Sequence, residues 1–221
     1  MTNIVREFHR HYYDAACSGN YGQGLHSQTL YHGIETHKCP LDLWIFQEIL
    51  TEVQPGLVIE LGTYLGGSTL FVAHQLQLHG RGMIVSIDNR ELPRPSHNQI
   101  RYLTGLTTAP NIVEAVSESI ATIGDQPVLV IHDADHRYDQ VLADLETYSP
   151  FVTPGSYLIV EDTHVNGHPV LNGWGPGPFE AVQEFCKLNP EFQPDRSREK
   201  FFITYNPCGY LRRSLSEPAS A

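Results

Sequence analysis

The chain has 221 residues, 41% hydrophobic and 18% charged, which suits one folded domain with a substantial core and excludes a disordered polymer. Its net charge of −11, from 14 basic and 25 acidic side chains, argues against a nucleic-acid backbone or an anionic membrane surface as partner; it favours cations, metals and small neutral ligands. Cys17, Cys39, Cys186 and Cys208 are scattered with no C-x-x-C pair, so a disulfide framework or zinc cluster is not expected, and a reducing cytoplasm is.

The N-terminus lacks the apolar core of a signal peptide, and no run approaches the ~20 apolar residues of a membrane span. Residues 1–37 are rich in Tyr, His and Gly without a clear period. They are expected to form an arm with short helices at most, serving as a lid or an oligomer contact. From Pro40, Phe46, Ile49, Leu50 and Val53 take the i, i+3, i+4, i+7 spacing of an amphipathic helix. Asp42 suits its start, and Gln54-Pro55-Gly56 stops it. "LVIEL" (57–61) predicts a buried strand, "GTYLGG" a loop and "STLFVAHQLQL" a helix. "GMIVSID" (82–88) and "QIRYLTG" read as strands, and "PNIVEAVSESIATI" as a helix opened by proline. "PVLVIHD" is the next strand. "YDQVLADLETY" is a helix with Val141, Leu142 and Leu145 on one face, and "SYLIVED" (156–162) a strand. Residues 163–178 are a Gly- and Pro-rich loop. "FEAVQEFCKL" is a helix, and "KFFITY" and "YLRRS" are two strands of a hairpin turning at "NPCG". The domain so defined runs over 38–213, with a tail at 214–221.

Apolar strands alternating with helices predict parallel βαβ units in a helix–sheet–helix α/β sandwich, closed by an antiparallel hairpin. Ligands of such sheets sit at the carboxyl ends of the strands. Four strands carry acids there: Glu60, Asp88, His132-Asp133 and Glu161-Asp162. The glycine loop fits neither G-x-G-x-x-G nor a phosphate-binding P-loop. Glu60 would repel a pyrophosphate but suits an ammonium or sulfonium. Asp88, 22 residues after Gly66, is placed to accept from ribose hydroxyls. A ribose without phosphate and a cationic amino-acid end describe S-adenosylmethionine. The expected cofactor residues are Glu60, Gly62, Thr63, Gly66, Gly67, Ser68, Asp88 and Asp133; the bland alternative is a turn glycine cluster with a strand-end acid.

Asp133 and Glu161, 28 residues apart, stand at the tips of strands expected to be adjacent, and Asp162 follows. Three converging carboxylates call for a cation, and hard oxygen donors without thiolate select Mg²⁺, with Mn²⁺ or Ca²⁺ as alternatives. Asp135 and His136 lie further into the same loop as candidate proton acceptors, with His164 a third. His132 is either a packing residue or a contact to the adenine or the substrate. Trp174 covers the acceptor or packs on the surface.

"VIELGTYLGGSTLFVA" resembles the cofactor loop of class I S-adenosylmethionine-dependent methyltransferases, notably the metal-dependent O-methyltransferases of the catechol type. From about residue 29 to 212 the chain more closely resembles the cephalosporin hydroxylase family, through "KCPLDLWIFQEIL", "VIELGTYLGGS", "IHDADH" and "YLIVEDT". The resemblance implies a Rossmann-like class I methyltransferase fold with a mostly parallel seven-stranded sheet. It implies metal positions at Asp133, Glu161 and Asp162, and a base at His136, as in the catechol type, or at Asp135, as in related sugar methyltransferases. The expected activity is metal-assisted methylation of a hydroxyl on a natural product, a sugar or a catechol-like acceptor, by a homo-oligomeric enzyme. The rivals are an iron-dependent hydroxylase or oxidoreductase, for which "HDADH" supplies His132, Asp133 and His136, and a non-catalytic ligand-binding protein.

Overall fold

The computed structural model describes residues 2–18 and 29–215. α1 (Asn3–Ser18) and a two-stranded hairpin, β1 (Leu30–Tyr31) with β2 (Ile34–Glu35), precede α2 (Pro40–Val53). The alternation then runs β3 (Leu57–Leu61), α3 (Gly67–Leu78), β4 (Met83–Asp88), β5 (Ile100–Thr104), α4 (Pro110–Ile123), β6 (Val128–His132), α5 (Tyr138–Tyr148), β7 (Tyr157–Val160), α6 (Pro178–Leu188), β8 (Phe192–Pro194) and β9 (Tyr210–Arg213). The tail expected from 214 lies, beyond Leu215, outside the described residues.

The arm holds more helix than expected: α1 has 16 residues. Its period is hidden because the face it buries is His9 and Tyr13, one turn apart, and not an aliphatic stripe. These two residues meet the domain beside Val165, Val170, His164 and Tyr205.

The seven-stranded sheet has the order β5-β4-β3-β6-β7-β9-β8, parallel through β7 and antiparallel at β9 and β8. Strand residues alternate between two cores. Leu57, Ile59, Val128 and Val130 face α4, α5 and α6; Val58, Leu129 and Ile131 face α2 and α3. The chain builds outward from β3 to β5, then returns to β6, so strand order reverses between β3 and β6. That reversal opens a crevice above their carboxyl ends. The register pairs Leu61 with His132, so the glycine loop and the acidic loop leave the sheet at one level.

Two sequence expectations change. The partner of β9 is Phe192–Pro194, not residues 200–205. In that segment Phe202 takes a positive φ of 68°, and the Tyr205 N–H and C=O bond to Asp42 Oδ2 and the His164 N–H instead of a ladder. Asp42 is likewise more than a helix-start acid. It is buried, and its carboxylate accepts from the Tyr205 N–H and the Tyr210 hydroxyl, tying α2 to the C-terminal strands.

Candidate active site

The glycine loop is shaped by close approaches. At Gly62 (φ +95°) a Cβ would fall 1.8 Å from the Asp133 carbonyl oxygen, so only glycine lets the two loops cross. At Gly67 a Cβ would fall 2.4 Å from Thr36 Oγ1, because the end of the arm lies directly on the start of α3. The loop's Thr63 and Tyr64 N–H groups donate to Asp88 Oδ2 at 3.2 and 2.7 Å, and the Arg90 N–H donates to Oδ1 at 2.8 Å. Burial works against the Asp88 charge, but these donors outweigh it and hold the carboxyl below its ordinary value.

Glu60 lines neither of the cavities above the sheet. It is buried beneath the loop, accepting from Ser68 Oγ at 2.7 Å, from Ser86 Oγ at 2.5 Å and from Thr69 Oγ1. Burial raises its pKa, the hydroxyls offsetting part of the rise. Its reach toward the crevice is indirect, through Ser68.

Two cavities adjoin above the sheet. One of about 450 Å³ is lined by Gly62, Asp88, Gly105, Thr107, Asp135 and Asp144 among others. The other, of about 390 Å³, is lined by residues that include Glu35, His37, Ser68, His136, Asp162 and Trp174. Tyr64, Arg90, Asp133 and Ala134 wall both. Thr63 and Gly67 line the second cavity; Gly66, with φ +80°, is the turn between them.

Along the second cavity, ligand atoms of Asp133, His136 and Asp162 lie within 4.8 Å of one another, with Asp133 alone of the three in the shared wall. His136 Nε2 is 2.9 Å from Asp162 Oδ2 and 3.6 Å from Asp133 Oδ1. Burial disfavours the imidazolium, but Asp162 and Asp133 outweigh it and push the His136 pKa up to about 10. Burial would likewise raise Asp162, yet His136 holds that carboxyl well below its ordinary value. Asp162 has left-handed backbone (φ 55°), with its N–H donated to Asn206 Oδ1 at 3.1 Å. Asp is one of the side chains that accept this left-handed conformation.

Glu161, predicted as the third metal carboxylate, stands apart from this group. It is buried, and its Oε1 accepts from Lys38 Nζ at 2.7 Å; the same ammonium bonds Asp133 Oδ2. Burial pushes Glu161 well above the carboxylate range, Lys38 offsetting part of that and Asp133 adding to it. For Lys38, burial alone would lower the pKa, but the two carboxylates hold it above its ordinary value. Sequence reasoning missed Lys38. Its one signal is a lone lysine in "KCPLDLW", and nothing in the spacing shows that the arm folds it back over strand tips 95 and 123 residues away.

The proton-handling candidates separate by location. Asp135 lines the first cavity and is tied to Arg137, whose backbone N–H donates at 2.9 Å and whose Nη2 donates at 2.6 Å. His136 lines the other cavity. His164 is fully buried, 3.3 Å from Asp162 Oδ1. His132 is also fully buried and bonds Asp144 Oδ2 at 3.0 Å, so it turns away from Asp133 and His136 and braces an acid of the first cavity's wall. Trp174 lines the second cavity, with its indole N–H 3.4 Å from the His136 carbonyl.

The family model Rhamnosyl O-methyltransferase/CmcI matches residues 23–214. The rhamnosyl O-methyltransferase of Mycobacterium bovis is 35% identical over 218 residues, spanning 96% of this chain and 85% of its own. That of Mycobacterium leprae is 36% identical over 220 residues, spanning 96% and 91%. Among solved structures, CmcI in its apo form aligns at a TM-score of 0.67 and 19% identity, over 90% of this chain and 81% of its own. CmcI with Mg and SAM aligns at 0.64 and 17%, over 88% and 80%. The solved structures share the sheet and its helices. The sequence matches go further, and by them the chain belongs to the rhamnosyl O-methyltransferase/CmcI family of S-adenosylmethionine-dependent O-methyltransferases.

Proposed function

We propose that the chain methylates a hydroxyl of a sugar-like small molecule, with a divalent cation of the magnesium class held by Asp133 and Asp162. The observation that carries this reading is the Asp133–His136–Asp162 cluster lining the second cavity, with Asp133 also walling the first. The donor set fits the ion, with hard oxygens converging and no thiolate. Bound there, the ion would take over the positive charge that Lys38 and His136 place beside these carboxylates, and would lower the pKa of a hydroxyl it coordinates.

The chain's own residues do the rest. Asp88 receives the ribose hydroxyls, and Ser68 with the loop backbone holds the amino-acid end. Tyr64 and Arg90, common to both cavities, border the path between sulfur and acceptor; such alignment contributes ~7–11 kcal/mol when the geometry is good. With the two carboxylates balanced by the ion, His136 would be neutral, and its Nε2 would take the acceptor proton as the methyl group moves to oxygen and the sulfonium becomes a neutral thioether. Asp135 faces the other cavity and His164 is enclosed, which supports His136 as the base. Glu161 serves as the counter-ion of Lys38. A sugar acceptor is supported by the relatives' names and by Tyr13, Tyr64 and Trp174, whose rings stand with Glu35 and His37 around one cavity.

The reading extends to a cytoplasmic, homo-oligomeric enzyme of natural-product metabolism. The free thiols of Cys39, Cys186 and Cys208 support the reducing compartment. Among the described residues no helix is long and apolar enough to cross a membrane.

Calorimetry with S-adenosylmethionine, with and without Mg²⁺, and turnover of a rhamnoside test the proposal. Asp133→Ala should abolish metal-dependent turnover and leave cofactor affinity nearly intact, whereas Glu161→Gln should keep its metal. Absence of cofactor binding by the wild-type chain would overturn the reading. Loss of metal in Glu161→Gln equal to that in Asp133→Ala would return Glu161 to the ion.

A further inference from the structure

Asp162 is gripped by two imidazoles. His136 meets Oδ2 from the cavity side, at 2.9 Å, and His164 Nε2 meets Oδ1 from the interior, at 3.3 Å. Behind His164 stands a third ring. His164 Nδ1 is 3.0 Å from Nε2 of His9, and both residues are fully buried. His9 belongs to α1, 155 positions away in sequence. Tyr13, one turn further along α1, packs edge-on to His164 at 4.6 Å between centroids, and Tyr205 closes the other side at 4.4 Å.

Donor counting sets the direction of these bonds. A carboxylate only accepts, so His164 Nε2 carries a proton. If His164 also donated from Nδ1, His9 Nε2 would be the acceptor and the proton of neutral His9 would sit on Nδ1. Among the described residues no hydrogen-bond partner reaches His9 Nδ1, whereas His164 Nε2 meets the Asp162 carboxylate at 3.3 Å, as an ion-pair contact and not an aligned hydrogen bond. The consistent arrangement has His9 Nε2–H donating to His164 Nδ1 and the His164 Nε2–H turned toward Asp162 Oδ1. Burial, with His164 adding to it, lowers the His9 pKa to about 3 and keeps that ring neutral.

We propose that His9 and His164 are positioning residues for Asp162, forming a one-way relay of N–H groups from α1, a hydrogen bond followed by an ion-pair contact, that fixes the carboxylate on its left-handed turn. The arm is then part of the catalytic unit and more than a cover. The relay stands on its own geometry; its consequence for cation binding rests on the metal-assisted reading above. Carboxylate ligands elsewhere are oriented by partners of this kind, whose loss typically costs 10–100-fold in metal affinity.

The test uses the full-length protein. Two-bond proton–nitrogen correlation spectra of ¹⁵N-labelled wild type should show His9 and His164 both protonated at Nε2 and bare at Nδ1; a proton on either Nδ1 would overturn the proposal. His9→Leu, which fills the space without a donor, should weaken Mn²⁺ binding about tenfold and leave S-adenosylmethionine affinity unchanged. His9→Gln, which restores an N–H near Nε2, should recover most of the loss. A folded His9→Leu that binds Mn²⁺ like wild type would overturn the positioning role. If His9→Leu does not fold, the nitrogen spectra and His9→Gln decide. If wild type binds no divalent cation, the metal-assisted reading and the positioning role fall together, and the spectra still judge the relay.

Discussion

Lys38→Met removes one ammonium from between two carboxylates without emptying the space. The side chain is 3% exposed and touches Asp133 and Glu161 together, so its loss leaves an acidic pair with one positive charge fewer. Removing one member of a buried ion pair costs about 3–5 kcal/mol. For a chain of this size each kcal/mol moves the melting temperature by about 2–4 °C, so a drop of about 6–20 °C is expected in chelator at pH 8. Three features distinguish this account from simple loss of packing. The drop should shrink as pH falls, because burial raises Glu161 and favours its neutral form, which needs no ammonium. Lys38→Met combined with Glu161→Gln should melt higher than Lys38→Met alone. Mg²⁺ should raise the melting temperature of the single variant more than that of wild type. Circular dichroism melts, with and without Mg²⁺, provide all three readings. A Lys38→Met protein that melts within about 2 °C of wild type, a shift worth less than 1 kcal/mol, would show that the ammonium is not needed between the acids.

Gly62→Ala places a methyl against the Asp133 carbonyl in left-handed backbone and should cost at least about 3 kcal/mol, read as lost soluble yield and lost cofactor binding; a normal melt would mean the loops part easily. Asp42 has its pKa raised from 3.8 to about 6 by burial, which its hydrogen bonds only partly offset. The folded state thus binds this proton more tightly, so stability is lost as pH rises from 3.8 through 6, by about 3 kcal/mol. Asp42→Asn should flatten that part of the stability–pH curve in urea titrations; an unchanged slope would assign it to other groups. Trp174 is half exposed, so Trp174→Ala should leave stability within about 0.5 kcal/mol and raise the KM for the acceptor alone; a changed cofactor affinity would contradict its placement.

Much of the sheet was legible because its strands are short apolar runs between turn signals, and β3 to β7 lie within the predicted stretches. The failures share a physical cause. Residues 200–205 have strand composition, but their backbone partners are the Asp42 carboxylate and a loop, neither of which a local pattern reveals. α1 was unreadable because its buried face is His and Tyr. At the site, the acids at strand tips were legible through topology: Asp133 and Asp162 converge, and Asp88 lines the cofactor-side cavity. Their roles depended on side-chain direction, which spacing does not carry. Glu60 turns down to three hydroxyls, Glu161 turns to Lys38, and neighbours Asp135 and His136 point into different cavities.

The two cavities differ in what builds their walls. The cofactor side is made of residues at or just beyond strand tips and at the start of α5, which the sheet register places. Much of the other side comes from segments outside the sheet, residues 35–37 of the arm and 165–174 of the long loop. Such segments change without disturbing the sheet. A lineage carrying this scaffold could therefore exchange one acceptor for another by editing two stretches outside the sheet, while the transfer chemistry was inherited intact.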